Sequence, residues 1–471
     1  MKQSLVNWSN LDHPALLTDH GDFLTYGQLH DHVVELSKVL KCRQLVFLLG
    51  RNDIATIQTY LACFESRSVP LLLSSDTPSE ILLNLLNVYQ PQFIFLPKNL
   101  LEVLNDFQAI KFIDDYVLCR QRVSSCIEFP ADLALLLATS GSTGSPKLVR
   151  LSWNNILSNA ESISSYLNLT PSDRPITTLP FNYSYGMSVV NSHLYAGSSI
   201  LLTNRGFFDP VFWRQMKSCR VTSMAGVPYS YEMLMKLRFE RMTLPDLRTL
   251  TQAGGKLPAT LARRVFDICH EKNIRFFTMY GQTEASPRIA YLSPEQMPSK
   301  LGSIGKAVAG GRLWLEDEQG REIQAADHVG ELIYSGPNVA LGYAENQEDL
   351  MRGDDWGGVL RTGDLAKQDK EGYFYIEGRS SRFLKIYGVR IALDAVESWF
   401  AQRSIVAAAH GRDDHLYVTL ESGLNLSGQE QVAALALSLQ IHPTALTVTI
   451  VDQLPRLSSG KVDYSCLNSK H

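Results

Sequence analysis

Residues 135–148 read LLLATSGSTGSPKL, an apolar run that passes into a Ser, Thr and Gly stretch ending at Lys147 and Leu148. Glycines let a backbone approach an anion closely, hydroxyl and N–H groups donate to phosphate oxygens, and the lysine adds a cation. The pattern G-x-x-x-x-G-K-[S/T] cannot be laid on these residues, so a P-loop kinase or GTPase is disfavoured. Alone, the segment predicts a polyphosphate-binding loop or a flexible connector.

The chain before this segment alternates between helical and strand-like apolar patterns. These patterns predict helices over 29–40, 54–64 and 78–89, and buried strands over 44–49, 69–73, 92–96 and 133–138. Strands that alternate with helices indicate parallel sheets covered by helices. From about residue 302 the pattern changes to short β-like runs, and the last ninety or so residues combine strands near 415–420 and 446–451 with a helix over 427–440.

The expected fold class is therefore α/β. A large N-terminal domain (1–379) of mostly parallel, helix-covered sheets ends in a β-rich subdomain (about 302–379), and a small α+β lid occupies 380–471. At 471 residues the chain is too long for one compact core.

Composition excludes several function classes. The formal net charge is −4, with 44 Lys and Arg against 48 Asp and Glu, so nucleic acid is not expected as a partner. No apolar run reaches the roughly 20 residues of a membrane span, and the N-terminus lacks the pattern of a secretory signal. Seven scattered cysteines without a C-x-x-C pair argue against a disulfide framework and structural zinc. We expect a cytoplasmic protein.

Four further segments change the interpretation of the Ser/Gly/Thr loop. They read YGQTE (280–284), RTGDL (361–365), GYFYIEGRSSRFLKIYG (372–388) and LPRLSSGK (454–461). Together with the loop, in this order and approximate spacing, they resemble the acyl-adenylate-forming (AMP-binding) superfamily, which includes acyl-CoA synthetases, adenylation domains and luciferases. The resemblance covers nearly the whole chain, and five ordered motifs are far more specific than one.

The resemblance implies a two-step reaction with ATP as co-substrate and Mg²⁺ as cofactor. A carboxylate attacks the α-phosphorus of ATP, giving acyl-AMP and pyrophosphate, and a thiol then displaces AMP. CoA is the expected thiol. The phosphopantetheine of an acyl carrier protein is the close alternative, and a non-catalytic nucleotide- and acid-binding protein with this fold is the alternative of another class.

The resemblance also implies roles for individual residues. Tyr280 is expected against adenine, Asp364 and Arg379 at the ribose, and Thr283 at the α-phosphate. Glu284 is the expected magnesium ligand, and Lys461 the lysine that bridges the reacting carboxylate and α-phosphate. The catalytic set is Lys461, Thr283, Glu284 and Lys147, and the nucleotide-binding set is Thr139, Ser140, Gly141, Ser142, Thr143, Gly144, Gly254, Gly255, Tyr280, Gly281, Gln282, Asp364 and Arg379. Structural alternatives remain for each, such as a solvated turn, a surface ion pair or a lysine near a chain end.

The stretch PFNYSYGMSVVNSHLYAG (180–197) is the expected acid pocket. Its candidate residues are Tyr183, Tyr185, Gly186, His193 and, from a later segment, Gly226. No Asp or Glu lies between Asp173 and Asp209, whereas relatives that adenylate α-amino acids hold the ammonium with an Asp there. A buried ammonium without a counter-charge is costly, so a non-amino carboxylic acid is expected. A lone histidine such as His193 is more often a hydrogen-bonded core residue than a substrate ligand.

Two further expectations concern the lid. The superfamily's hinge position falls on Ser381, where Asp or Lys is common, and a hinge depends on backbone torsion more than on the side chain. Lys385 and Gly388 match the motif that approaches the thiol tunnel.

Overall fold

The protein is described here by a computed structural model that covers residues 4–40, 43–103, 106–122, 128–138, 147–379, 382–386, 389–403, 405–412, 414–421, 428–439, 441–457 and 460–468. The strands in these residues are, in chain order, β1 (Pro14–Thr18), β2 (Phe23–Thr25), β3 (Leu45–Gly50), β4 (Val69–Ser74), β5 (Phe93–Pro97), β6 (Phe107–Ile113), β7 (Tyr116–Gln121), β8 (Leu133–Ala138), β9 (Leu148–Ser152), β10 (Pro175–Ile176), β11 (Ile200–Leu202), β12 (Ser223–Gly226), β13 (Thr249–Gln252), β14 (Arg275–Gly281), β15 (Arg288–Leu292), β16 (Lys306–Ala307), β17 (Arg312–Glu316), β18 (Val329–Ser335), β19 (Gly342–Ala344), β20 (Val359–Gln368), β21 (Phe374–Arg379), β22 (Phe383–Ile386), β23 (Val389–Ala392), β24 (Ala407–Arg412), β25 (His415–Glu421) and β26 (Leu446–Val451).

The helices of the same residues are α1 (Tyr26–Leu40), α2 (Ile54–Glu65), α3 (Ser79–Tyr89), α4 (Trp153–Leu167), α5 (Ser184–Ala196), α6 (Pro210–Ser218), α7 (Pro228–Lys236), α8 (Ala259–Glu271), α9 (Leu393–Ala401), α10 (Gly428–Leu439) and α11 (Tyr464–Asn468). Short 3₁₀ turns lie at Lys98–Val103, Phe239–Arg241, Thr283–Ala285, Glu348–Met351 and Pro443–Ala445. The helices and buried strands predicted between residues 29 and 96 are confirmed, each to within a few residues of its predicted bounds.

The first sheet runs β19-β9-β8-β4-β3-β5-β7-β6 through the described residues. Its centre is parallel, since β3 pairs with both β4 and β5, and β4 pairs with β8. The central strands are almost continuously apolar and buried, as strands covered on both faces must be. β8 and β9 are antiparallel neighbours. The predicted phosphate loop therefore connects two strands that are paired within this sheet.

The second sheet runs β16-β15-β14-β13-β12-β10-β11-β1-β2. β12, β13 and β14 are parallel, and their carboxyl ends therefore meet at one edge of the sheet. Gly226 ends β12 and Gly281 ends β14, and the Gly254-Gly255 turn follows β13. In open α/β sheets ligands bind beyond the carboxyl ends of the strands, so this edge positions the candidate site.

Three smaller sheets complete the described chain, and one of them is the antiparallel pair β22 and β23. β17, β18, β20 and β21 form an antiparallel sheet, which agrees with the β-rich character predicted after residue 302. Near the C-terminus, β24, β25 and β26 form a sheet that packs on α9 and α10 around its own apolar cluster, which includes Ile386, Phe400 and Leu420. Within the described residues, no helix combines the length and apolar character needed to cross a membrane.

Candidate active site

The expected ribose-binding carboxylate, Asp364, lies at the centre of a polar cluster. Asp364 on β20 faces Arg379 on β21 in the antiparallel register, and Arg379 Nε lies 3.1 Å from Asp364 Oδ1. The Tyr280 hydroxyl donates to Asp364 Oδ2, and Gln282 Nε2 donates to the same oxygen over 3.0 Å. Loss of hydration and the facing carboxylate both raise the pKa of Tyr280, which keeps its hydroxyl protonated as a donor. Four residues of the predicted nucleotide-binding set therefore converge here.

Arg379 also connects this cluster to the following unit. Its backbone N–H donates to Asp394 Oδ2 over 2.8 Å, and Asp394 lies in the first turn of α9. Arg382 donates to the other Asp394 oxygen and lies 2.8 Å from Glu397. The Asp364 cluster and α9 are thus joined through one arginine.

A second cluster surrounds Glu284, which lies in the 3₁₀ turn after β14. The Tyr343 hydroxyl donates to Glu284 Oε1 over 2.7 Å. Lys147 Nζ lies 3.9 Å from the centre of the Tyr343 ring and 3.4 Å from Glu345 Oε1. Thr283 Oγ1 lies 3.1 Å from Ser184 Oγ at the start of α5. The catalytic candidates Lys147, Thr283 and Glu284 therefore occupy one wall of the cleft.

The donor set around Glu284 fits magnesium. Mg²⁺ is usually held by one or two carboxylates together with substrate phosphates. Among the described residues, no three His, Cys, Asp or Glu side chains converge as a metal-binding group. Glu284 supplies one carboxylate, and it shares the contact with Tyr343 with Lys147, which follows the predicted phosphate loop. A single carboxylate suits a metal ion that arrives bound to ATP.

Lys461 reaches the same cleft from the C-terminal segment. Its Nζ lies 5.7 Å from the centre of the Tyr183 ring. Part of the residue stays exposed, yet loss of hydration in the cleft and then the nearby Arg379 cation lower the pKa of Lys461, against the opposing effect of Glu284 and Asp364. The lysine is thus close enough to feel the charges of both clusters.

The residue before Lys461 explains how closely this segment approaches. Gly460 has φ +79°, and a Cβ there would lie 2.7 Å from Val227 Cγ2. Both the positive φ and the contact favour glycine. Arg456 adds a second contact, because its guanidinium lies 4.6 Å from the centre of the Tyr229 ring on α7. It also lies 3.7 Å from Glu232 and 3.5 Å from Glu421.

The predicted acid-pocket residues lie where the carboxyl ends of β12 and β13 meet α5. Tyr185 is buried and its hydroxyl donates to Thr251 O over 2.9 Å. A Cβ on Gly186 would lie 2.2 Å from Pro180 O, and one on Gly226 would lie 2.9 Å from the Tyr231 ring. These glycines therefore keep the pocket walls in close contact.

Tyr183 and His193, the two remaining pocket candidates, differ in what they contact. A Cβ on Gly254 would lie 2.6 Å from the Tyr183 hydroxyl, so the turn after β13 packs on that ring, whereas Gly255 is exposed. His193 is buried, Nδ1 donates to Val189 O over 2.7 Å, and burial lowers its pKa to about 4. This backbone bond fits the core-histidine alternative, while Nε2 has no partner.

Several predicted residues cannot be placed. The loop residues Thr139, Ser140, Gly141, Ser142, Thr143 and Gly144, the hinge candidate Ser381 and the tunnel candidate Gly388 lie outside the described residues. Lys385 lies in β22, opposite Arg390 in the strand register.

The sequence patterns missed three contributors to the cleft: Tyr343, Glu345 and Ser184. Tyr343 lies within the short strand β19 and Glu345 directly follows it, and this strand pairs with β9 directly after Lys147. No local motif marks them, since the contact exists only after two distant segments pair. Ser184 stands beside Tyr183 in the predicted pocket stretch, so it could have been included.

The Asp364 cluster, the Glu284 cluster with Lys147, and Lys461 from the C-terminal segment together define a class of protein. The family model "AMP-binding enzyme" matches residues 7–344, and the chain belongs to this family. The superfamily resemblance is thereby confirmed.

Individual relatives are similar along nearly the whole chain. Indoleacetate–CoA ligase of Aromatoleum aromaticum is 26% identical, covering 93% of this chain and 91% of that protein. Oxalate–CoA ligase of Arabidopsis thaliana is 26% identical over 93% of this chain and 92% of that protein. The structure of o-succinylbenzoate coenzyme A synthetase from Bacillus subtilis with ATP and magnesium is similar with a TM-score of 0.77 at 23% identity, covering 97% of this chain and 98% of that one. The α/β fold prediction is confirmed by this likeness.

Proposed function

We propose that the protein is an AMP-forming acid–thiol ligase that activates a non-amino carboxylic acid as acyl-AMP and transfers the acyl group to CoA. The observation that carries the proposal is the position of Lys461. A lysine from the last segment of the chain lies within 5.7 Å of the Tyr183 ring and feels the charges of Glu284, Asp364 and Arg379. A cation held between an acid pocket and a ribose carboxylate suits charge that develops at an α-phosphate.

In the first half-reaction, Asp364 would accept hydrogen bonds from both ribose hydroxyls, and the Tyr280 ring would lie against adenine. A carboxylate oxygen of the acid attacks the α-phosphorus, the bond from that phosphorus to the bridging oxygen breaks, and pyrophosphate leaves. Lys461 and Thr283 stabilise charge on the α-phosphate and the attacking carboxylate. Glu284 would hold Mg²⁺, which supplies charge neutralisation to the phosphates when bound, and Lys147 with the loop 139–144 would hold the departing pyrophosphate.

In the second half-reaction, the thiol sulfur attacks the acyl carbonyl carbon and the bond to the AMP oxygen breaks. The thiol proton is released and AMP leaves. We assign this step to a rotation of residues 380–471 as a lid on residues 1–379, with Ser381 as hinge and Lys385 and Gly388 at the thiol tunnel. CoA ligase relatives support CoA as acceptor. A comparison of CoA, pantetheine and holo-carrier protein tests this choice.

The deciding experiment is acid-dependent exchange of labelled pyrophosphate into ATP. Short, aryl and hydroxy acids are tested with Mg²⁺, because relatives are named for acids as different as oxalate and indoleacetate. Exchange that needs both an acid and Mg²⁺ is expected. If no acid in a broad panel supports exchange while ATP still binds, the protein is a nucleotide-binding member of the family without ligase activity.

Amino acids are expected to be poor substrates, with exchange at least about tenfold below that of their deaminated analogues. The acids that flank the pocket segment are engaged elsewhere, since Asp173 pairs with Arg248 at 3.0 Å and Asp209 with Arg205 at 2.7 Å. The measurement compares phenylalanine with 3-phenylpropionate and glutamate with glutarate. Faster exchange with the amino acid of a pair would contradict the prediction.

Lys147→Ala is expected to raise the KM for ATP about tenfold in the exchange assay. The full effect of a preorganised cation is about 10²–10³-fold, but the Lys147 side chain is 42% exposed and solvent weakens its field. Lys98 is the matched control, because its ammonium also lies over an aromatic ring, 5.6 Å from the Phe112 centre. Equal KM values for Lys147→Ala, Lys98→Ala and the parent protein would return Lys147 to a structural role.

A further inference from the structure

Arg288, the first residue of β15, is a buried cation without an acidic partner. It is 3% exposed, none of the ion pairs among the described residues includes it, and its Nε has no hydrogen-bond partner. Its guanidinium lies 4.1 Å from the centre of the Tyr185 ring. Burial raises the pKa of the neighbouring Tyr166 to about 12, against the opposing effect of this guanidinium. The groups next to the guanidinium are therefore the Tyr185 ring and the neutral hydroxyl of Tyr166, and neither carries a negative charge.

The backbone of Arg288 is fixed from two sides. Asn159 on α4 donates to Arg288 O over 3.1 Å, and Asn338 donates to the same oxygen over 2.7 Å. Because Arg288 also pairs with Gly281 across β14 and β15, it lies directly behind the segment that carries Thr283 and Glu284. The side chain is thus built into the back of the candidate active site rather than placed on a mobile loop.

Arg288 borders a cavity that is also lined by His193, one of the acid-pocket candidates. The walls are mostly apolar and include Ile163, Ala225 and Met279. At its lining lie two more polar atoms without partners, His193 Nε2 and Ser223 Oγ. The cavity volume is about 20 Å³, which is room for a polar group of about the size of one water molecule and too little for a long alkyl chain.

Two aromatic rings lie between Arg288 and Lys461. Lys461 Nζ lies 5.7 Å from the Tyr183 ring centre, the rings of Tyr183 and Tyr185 are 6.3 Å apart, and Arg288 lies 4.1 Å from the Tyr185 centre. One cation therefore lies on each side of these two rings. Burying a cation without a counter-ion is costly, which favours an anion that arrives with the substrate.

We infer that Arg288 receives a second carboxylate of the substrate, so that the acid is a short dicarboxylate with one carboxylate at Lys461 and the other at Arg288. The inference rests on the proposed ligase function. The guanidinium fork matches a carboxylate, and the Tyr185 ring beneath it holds the fork in place. A monocarboxylate of the same length leaves the cation unpaired and is bound less tightly.

The test uses straight-chain dicarboxylates from oxalate to adipate, each paired with the monocarboxylate of the same carbon number, in the exchange assay. We expect at least one dicarboxylate to exceed its partner in kcat/KM by about tenfold or more. In Arg288→Met this ratio is expected to fall towards one, and Arg288→Lys should keep part of it. Arg275→Met is the matched control, because Arg275 also lies over a ring, 5.8 Å from the Phe277 centre, outside the cavity lining.

A melting experiment separates this inference from the proposed function. The preferred dicarboxylate is expected to raise the melting temperature of the parent protein and of Arg275→Met more than its monocarboxylate does, and Arg288→Met should lose the difference. If no acid supports exchange but the selective stabilisation occurs, the ligase proposal fails and the anion site stands. The inference is overturned if the parent protein shows equal kcat/KM and equal melting shifts for both acids of every pair. It is also overturned if Arg288→Met keeps the parent protein's preference for the dicarboxylate.

Discussion

Alanine in place of Lys461 is expected to slow acyl-adenylate formation by about 10²–10³-fold, while supplied acyl-AMP is still converted to thioester. The side chain reaches the cleft that Glu284 and Asp364 line, and it belongs to the segment proposed to leave that cleft for the second step. Its loss therefore removes a cation from the first transition state alone. Pyrophosphate exchange measures the first step, and thioester formation from purified acyl-AMP measures the second.

The pH dependence gives a second readout for this lysine. The pKa of Lys461 is lowered, and the protonated form is the one that stabilises phosphate charge, so adenylation should decline with rising pH before an ordinary lysine would lose its proton. Lys461→Arg should retain activity at alkaline pH, because arginine stays protonated. Lys370→Ala, on an exposed turn, is the control and should behave like the parent protein. Equal damage to both half-reactions in Lys461→Ala would assign the residue a structural role.

Asp364→Asn is expected to raise the KM for ATP about 10²-fold. Hydrogen bonds to a charged group contribute about 1.5–3 kcal/mol, and the proposed ribose contact involves two hydroxyls on one carboxylate. Asp364 is 4% exposed, so water cannot replace the lost charge. The substitution also leaves Arg379 without its partner at 3.1 Å. Nucleotide titration by calorimetry and the KM for ATP in exchange measure the effect.

The matched control for this carboxylate is Asp327→Asn, in an exposed turn of the same β-rich sheet. Asparagine tolerates the positive φ of that turn, so the control should fold and bind ATP normally. If Asp364→Asn folds and binds ATP as tightly as the control does, the cluster around Asp364 serves the fold and the ribose lies elsewhere.

The parts of the fold that the sequence predicted are those with local signals. Continuous apolar runs marked β3, β4 and β8, and helical spacing marked α1 and α2, because burial on both faces of a parallel sheet leaves a direct imprint on composition. The five motifs marked Lys147, Glu284, Asp364 and Lys461 as site candidates although the first and last are more than 300 residues apart. Their proximity could be inferred only through the resemblance to a family.

The parts that escaped prediction depend on pairing between distant strands. Tyr343 reaches Glu284 because β19 joins the edge of the first sheet beside β9, and nothing within residues 342–344 announces that partner. Arg288 escaped prediction for a different reason. It opens the apolar run RIAYL, where a charged residue at a strand start is usually solvated, and only the packing of α4 and α5 over it reveals that it is buried.

The two acidic neighbours of Arg456 differ in which part of the chain carries them. Glu232 lies on α7 of the N-terminal region, whereas Glu421 lies on β25, close in sequence to Arg456 itself. In the proposed rotation of residues 380–471 away from α7, Arg456 would therefore leave together with Glu421, and Glu232 would remain on α7. We therefore expect the proposed lid to part from α7 and return to it at low electrostatic cost, because Arg456 keeps one acidic partner throughout.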